Sequence, residues 1–160
     1  MNPQCDKAGT MSEAKGVNRS IVLHSRPVGA PTLANFRLEE SAVPIPTSGQ
    51  MLLRTMFLSL DPYMRGRLSD APSYAAPVAI GAVMVGGTVC RVETSLHPDY
   101  QPGDVVQSYS GWQHFSVSDG TGVTKLDARM KHPSMALGVL GMQMPRKRSS
   151  ACWRAAILAS

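Results

Sequence analysis

The chain has only three cysteines, Cys5, Cys90 and Cys152, odd in number and far apart. That spacing suits neither a disulfide framework nor a thiolate metal cluster, and it points to a reducing compartment. The four histidines, His24, His97, His114 and His132, never fall three or four residues apart and have no cysteine nearby, so no metal site is expected. No Gly-x-Ser-x-Gly elbow occurs, and Asp104, His114 and Ser116 would form a catalytic relay only if the fold brought them together. Long apolar runs are missing too. The longest, AAPVAIGAVMVGG, is broken by Pro77 and three glycines, which excludes a membrane-spanning helix. The opening MNPQCDKAGTMSEAKGVN lacks the apolar centre of a signal peptide. A soluble, cytoplasmic protein with no membrane partner is therefore expected.

A basic body is also lacking, although the net charge is +5. Arg146, Lys147, Arg148 and Arg154 all lie in residues 143–160, which contain no acid, leaving 12 basic and 11 acidic groups in the rest. Phosphate affinity grows with the number of ion contacts, and four cations on a tail are few, so no nucleic-acid partner is expected.

What the chain does have is turn chemistry. Its 12 prolines and 14 glycines punctuate a sequence that is 43% hydrophobic and 17% charged, a balance typical of a globular protein. The length of 160 residues fits one domain. Residues 1–17 are polar and aperiodic and are read as a flexible N-terminus. From residue 18 onward, short β-branched or apolar runs alternate with turns: SIVLH, FRLEE, MLLRTMFLSL, GGTVCRVE, DVVQSY, GWQHFSV and GVTKL. This pattern predicts a mainly β fold, a small barrel or sandwich. MLLRTMFLSL is almost continuously apolar and reads as a strand covered on both faces. Pro102-Gly103-Asp104 predicts a tight turn, and PSMALGVLGM, residues 133–142, predicts a helix with Pro133 at its start and Met135, Leu137, Leu140 and Met142 as its apolar members.

Two stretches invite chemistry. GAVMVGGT, residues 81–88, has the length of a phosphate-binding loop, but Gly87 stands where the phosphate-reaching lysine belongs, so it reads as a glycine-kinked strand that lets other groups approach closely. LSLDPYMRGR, residues 58–67, runs from an apolar strand into a turn carrying a phenol, a thioether and two guanidiniums. Pro62 restricts the backbone before Tyr63, whose hydroxyl either donates to a carbonyl or enolate oxygen or packs on the barrel rim. The residues alone leave both readings open.

Read in order, NRSIVLHSRPVGAPTLANFRLEE, LLRTMFLSLDPYMRGRLSDAPSYAAPVAIGAVMVGGTV, HPDYQPGDVVQSYSGWQ and SMALGVLGM resemble the N-terminal part of the zinc-independent medium-chain dehydrogenases/reductases, in their NADPH-dependent double-bond reductase branch. The resemblance covers residues 18–142. It implies a GroES-like, partly open β-barrel with one or two short helices, forming one wall of a cleft whose other wall is a Rossmann domain that binds NADPH. It implies reduction of the C=C bond of an α,β-unsaturated ketone or aldehyde, hydride adding at the β-carbon and a proton at the α-carbon. Tyr63 is then the candidate catalytic residue, and Tyr63, Met64 and Tyr74 the candidate substrate-binding residues. The cysteine and Gly-His-Glu by which zinc-dependent relatives hold their metal have no counterpart after SLDPYMR or around Ile80-Gly81-Ala82.

Beyond Met142 the resemblance stops. The family continues with Pro-x-x-Thr-Ala-Tyr and a Rossmann domain, whereas Gln143-Met144-Pro145-Arg146-Lys147-Arg148 follows here. Residues 143–160 are accordingly expected to be a basic tail from a shifted frame or a truncated gene. With no glycine-rich strand-to-helix turn to hold pyrophosphate, tight NADPH binding and reductase activity by the chain alone are not expected. A partner supplying the Rossmann domain, self-association into a homo-oligomer, or a non-catalytic binding module are the alternatives that follow.

Overall fold

A computed structural model describes residues 16–70 and 76–138. The basic tail, Leu140, Met142 and Tyr74 lie outside these residues, as does nearly all of the expected flexible N-terminus. The described chain is mainly β: β1 (Val17–Leu23), β2 (Phe36–Ala42), β3 (Met51–Leu58), a single helical turn α1 (Met64–Arg67), β4 (Thr88–Ser95), β5 (Val105–Ser108), β6 (Phe115–Ser118) and β7 (Thr124–Lys125). Short 3₁₀ turns occupy Leu33–Asn35 and Pro133–Leu137.

All strand pairs are antiparallel. β1 pairs with β2, and a five-stranded sheet runs β6-β3-β4-β5-β7. β1 couples the two sheets through isolated bridges, Ser20 to Gln113 and Val22 to Val83. Around them Ile21 N–H donates to the Trp112 carbonyl (2.8 Å) and His114 N–H to the Arg19 carbonyl (2.9 Å). Buried Asn18 adds a side-chain link by accepting from Phe115 N–H at 2.9 Å. The strands thus curl into a partly open arrangement, as the resemblance implied.

Alternation decides which strands are buried. β1 hides Asn18, Ser20, Val22 and Leu23, whereas β2 buries none of its residues and presents Arg37, Glu39 and Glu40, charges that discourage strand addition at an edge. In β3 the expected double coverage holds only for Met51, Leu52 and Leu53; Met56 and Phe57 are exposed. β6 pairs with β3 only from Met51 to Arg54, so the second half of the strand loses a neighbour on one side. Two apolar clusters result. One gathers Met51, Leu53, Cys90, Val92 and Val106 within the large sheet, and the other gathers Leu23, Leu68, Val78 and Met84 beneath α1.

The tight turn before β5 forms as read, with Gly103 at φ 94° and Asp104 Oδ2 accepting from Gln101 N–H at 2.8 Å. Three expectations need correction. The helix expected over residues 133–142 is, within the described residues, a 3₁₀ turn closed by Met135 N–H to the His132 carbonyl and Gly138 N–H to the Met135 carbonyl. The segment 81–87 makes one bridge at Val83 and becomes a strand only at Thr88. The Asp-Pro turn, conversely, opens a helical turn: the Asp61 carbonyl accepts from Met64 N–H and the Pro62 carbonyl from Arg65 N–H. Proline is tolerated there because the first turn of a helix needs no N–H from it.

Candidate functional site

The end of β3 is fastened to the glycine shelf before β4 by Ser59 N–H donating to the Gly87 carbonyl at 2.9 Å. Just beyond, helical dihedrals begin at Tyr63 (φ −61°, ψ −25°) and persist to Leu68. Residues four apart in such a turn share a face. Tyr63 and Arg67 therefore look one way, onto a cavity of about 390 Å³, together with Asp61, Gln107 and Tyr109. Val85, Gly86, Gly87 and Leu137 complete its wall. A Cβ on Gly87 would stand 3.6 Å from Leu137 and 3.9 Å from Tyr109, in space the glycine leaves to the cavity. Tyr109 is itself 69% exposed at the mouth.

Met64 and Leu68, also four apart, turn to an adjacent face. They are buried and line a second cavity, of about 320 Å³, with Phe36, Leu60, Met84 and Trp112. Phe36 stacks on Trp112 at a centroid distance of 5.8 Å. Gly86 lies between the two spaces, because a Cβ there would come within 2.8 Å of Leu58, 3.1 Å of the Met64 methyl and 3.2 Å of Trp112. Of the three residues singled out for substrate, Tyr63 lies on the polar cavity, Met64 on the apolar one, and Tyr74 falls outside the described residues.

The two guanidiniums of DPYMRGR part company. Arg65 is exposed and donates to the Gly29 carbonyl at 2.5 Å. Arg67 lines the polar cavity, and its Nε is buried without a hydrogen-bond partner among the described residues. Sequence reasoning left Arg67, Gln107 and Tyr109 unassigned. The available signals were spacing: four residues from Tyr63 to Arg67, and two from Gln107, in β5, to Tyr109, just beyond its end.

The other candidate chemistry does not assemble. Asp104 pairs with Lys125 at 2.7 Å, and that ammonium together with Gln101 N–H holds its carboxyl below the usual range. His114 Nε2 and Ser116 Oγ are each buried with no hydrogen-bond partner, so the three residues form no relay. Burial, reinforced by the charges of Arg19 and Arg54, holds the His114 pKa below its ordinary value. The Cys90 thiol is pushed up by burial against the opposing hydrogen bonds of Thr88, Ser110 and Thr55. Among the described residues no three histidine, cysteine or acidic side chains converge on a metal position, and no helix is long and apolar enough to cross a membrane.

Residues 19–126 match the family described as the N-terminal domain of oxidoreductase, and the chain belongs to that family, within the medium-chain dehydrogenases/reductases. Among curated proteins it is 61% identical over 132 residues to the NADPH-dependent curcumin reductase of Escherichia coli (strain K12), which covers 82% of this chain and 38% of the relative. It is 39% identical over 117 residues to prostaglandin reductase 1 of Mus musculus, covering 71% and 33%. The crystal structure of CurA from Vibrio vulnificus in complex with NADPH superposes with a TM-score of 0.74 at 58% identity, over 78% of this chain and 37% of that one. The chain thus spans little more than a third of the relatives it matches.

NADPH tests the glycine shelf before β4 as a pyrophosphate cradle, and the shelf does not fit it. Gly86 and Gly87 lead into β4 instead of a helix N-terminus, so they offer none of the converging N–H groups that hold a pyrophosphate.

Proposed function

We propose that this chain forms the substrate-side wall of an NADPH-dependent oxidoreductase that reduces the C=C bond of α,β-unsaturated ketones and aldehydes, with the cofactor held by residues other than those described. The position of Tyr63 carries the reading: a phenol at the mouth of the first helical turn, on a cavity with room for a small ligand, in a chain closely related to reductases named for NADPH.

In this reading Tyr63 Oη donates a hydrogen bond to the substrate carbonyl oxygen. That oxygen gains negative charge as the β-carbon is reduced, so the bond strengthens toward the transition state and lowers the barrier. Gly87 keeps the floor low enough for a flat conjugated group, and Leu137 and Val85 exclude water beside it. NADPH supplies the hydride when bound.

The test is NADPH consumption with an enone such as curcumin. The isolated chain is expected to show no turnover, and turnover should appear when the chain replaces the corresponding segment of the Escherichia coli relative. In that chimera Tyr63→Phe is expected to lower kcat by roughly a hundredfold, the usual cost of removing one oxyanion donor. An unchanged kcat would reduce the phenol to packing.

A further inference from the structure

Resting on the reading above, we propose that Tyr109 is a specificity-determining residue, its ring the platform on which an aromatic substituent of the carbonyl substrate stacks. Tyr109 lines the polar cavity and is nevertheless 69% exposed. Among the described residues its ring packs on no other ring or cation, and its hydroxyl makes no hydrogen bond. Tyr100 shows the contrast. Its ring meets His97 edge-on at 5.0 Å and lies 5.5 Å from the Lys125 ammonium, and its hydroxyl donates to the Val123 carbonyl at 3.1 Å. The fold uses the phenol of Tyr100, whereas that of Tyr109 stands open at the cavity mouth.

Although its ring is open, its backbone is held. Thr88 Oγ1 donates to the Ser108 carbonyl at 3.1 Å and accepts from Ser110 N–H at 3.2 Å, so one buried hydroxyl pins the chain on both sides of Tyr109. A platform fixed in advance loses less freedom when a ligand settles on it. Gly87, next to Thr88, clears the space beside the ring: a Cβ there would stand 3.9 Å from Tyr109 Cε1 and 3.6 Å from Leu137. Its φ is not positive, so the backbone does not demand glycine, and what the glycine provides is room. Asp61 and Arg67 put opposite charges on the lining, which suits a neutral ligand. Aromatic pairs gain more than their buried area supplies, because ring face and ring edge carry opposite partial charge. The ligand class is therefore a neutral ketone or aldehyde bearing an aromatic ring, with its carbonyl at Tyr63 and its ring on Tyr109.

The experiment is NMR titration of the isotope-labelled 160-residue chain with benzylacetone and with its cyclohexyl counterpart, neutral ketones that do not alkylate thiols. Benzylacetone should bind roughly three- to tenfold more tightly. The cyclohexyl ring is the more apolar of the two, so burial alone would give the opposite order. Tyr109→Leu, which keeps an apolar side chain at this exposed site, should erase the preference, and Tyr109→Phe, which keeps the ring, should retain it. Equal affinity of the two ketones, tighter binding of the cyclohexyl compound, no detectable binding of benzylacetone, a preference that survives in Tyr109→Leu or one that is lost in Tyr109→Phe would each overturn the proposal. Tyr63→Phe separates it from the reading on which it rests. Ketones that bind equally and are both weakened by Tyr63→Phe leave the Tyr63 reading standing and remove this one. A ring preference that Tyr109→Leu erases, with neither ketone weakened by Tyr63→Phe, does the reverse.

Discussion

On one face of α1 a cavity is lined by Tyr63, Arg67, Gln107 and Tyr109; on the adjacent face another is lined by Met64, Leu68, Phe36, Met84 and Trp112. The two spaces share Asp61 and have Gly86 between them, yet one presents hydroxyl, amide and guanidinium groups and the other methyl, thioether and ring surface. A single helical turn suffices to sort them. Consecutive residues in a helix diverge by about 100°, so the alternation phenol, thioether in Tyr63-Met64 and guanidinium, isobutyl in Arg67-Leu68 becomes two faces of different character. The polar face is the one free to evolve chemistry, and the apolar face holds it still.

If that division is right, substitutions on the two faces must fail in different ways. Met64→Ala, on the apolar face, removes a buried side chain from the wall of the apolar cavity and is expected to cost the most, about 3 kcal/mol within the usual range for such truncations. Chemical denaturation measures it; a loss below about 1 kcal/mol would mean that α1 is not anchored by that face.

Gly111→Ala attacks the apolar side from behind. Gly111 has φ 75°, and a Cβ there would lie 2.5 Å from the Met84 carbonyl oxygen, with Trp112 as the next residue. The left-handed conformation alone costs an L-residue about 1–2 kcal/mol, and the backbone contact adds to it. A loss near 2 kcal/mol is expected, accompanied by a shift in Trp112 fluorescence, since the indole must move with its neighbour. Stability lost with the emission unchanged would show that the strain is absorbed elsewhere.

Arg67→Met supplies the contrast on the polar face. Removing a buried donor that has no partner takes away a penalty, so stability should stay level or rise by about 1 kcal/mol. A stability loss comparable to that of Met64→Ala would erase the distinction between the faces.

How much of this was readable beforehand follows from range. β1, β2, β4 and β5 announced themselves through β-branched runs bounded by proline and glycine, and the Pro102-Gly103-Asp104 turn through local backbone preference, all of which are short-range properties. The exposed half of β3 was not legible, because its coverage depends on how far β6 reaches along it. Tyr63 stood out because Pro62 restricts the backbone before it at the end of an apolar strand, but Met64 looked like a cavity neighbour of Tyr63 until the helical turn sent it to the other face. Gln107, in β5, and Tyr109, just past its end, lie some forty residues away, and only the pairing of β5 with β4 brings them to the cleft.

His114 offers a perturbation that should spare the comparison, because it lines neither cavity. Its ring is held neutral by burial and by the charges of Arg19 and Arg54, so its folded pKa lies below the ordinary value of 6.5. Below about pH 6.5 the unfolded chain therefore takes up a proton that the folded chain refuses, and stability falls with pH until the folded pKa is passed, where the loss levels off. Denaturation at pH 7.5 and 5.5 should show this loss in the unaltered chain and a smaller one in His114→Gln, the difference isolating this ring from the other histidines. Because His114, just before β6, is bonded to β1 through its N–H to the Arg19 carbonyl and to β3 through its carbonyl, which accepts from Thr55 N–H, its titration loosens the sheet that carries both faces alike. The stability gap between Met64→Ala and Arg67→Met should then be the same at both pH values, within the few tenths of a kcal/mol expected for independent sites. A gap that widens at pH 5.5 would mean that one face depends on the β1–β6 seam more than the other, and that the two sides of α1 are not supported by a common scaffold.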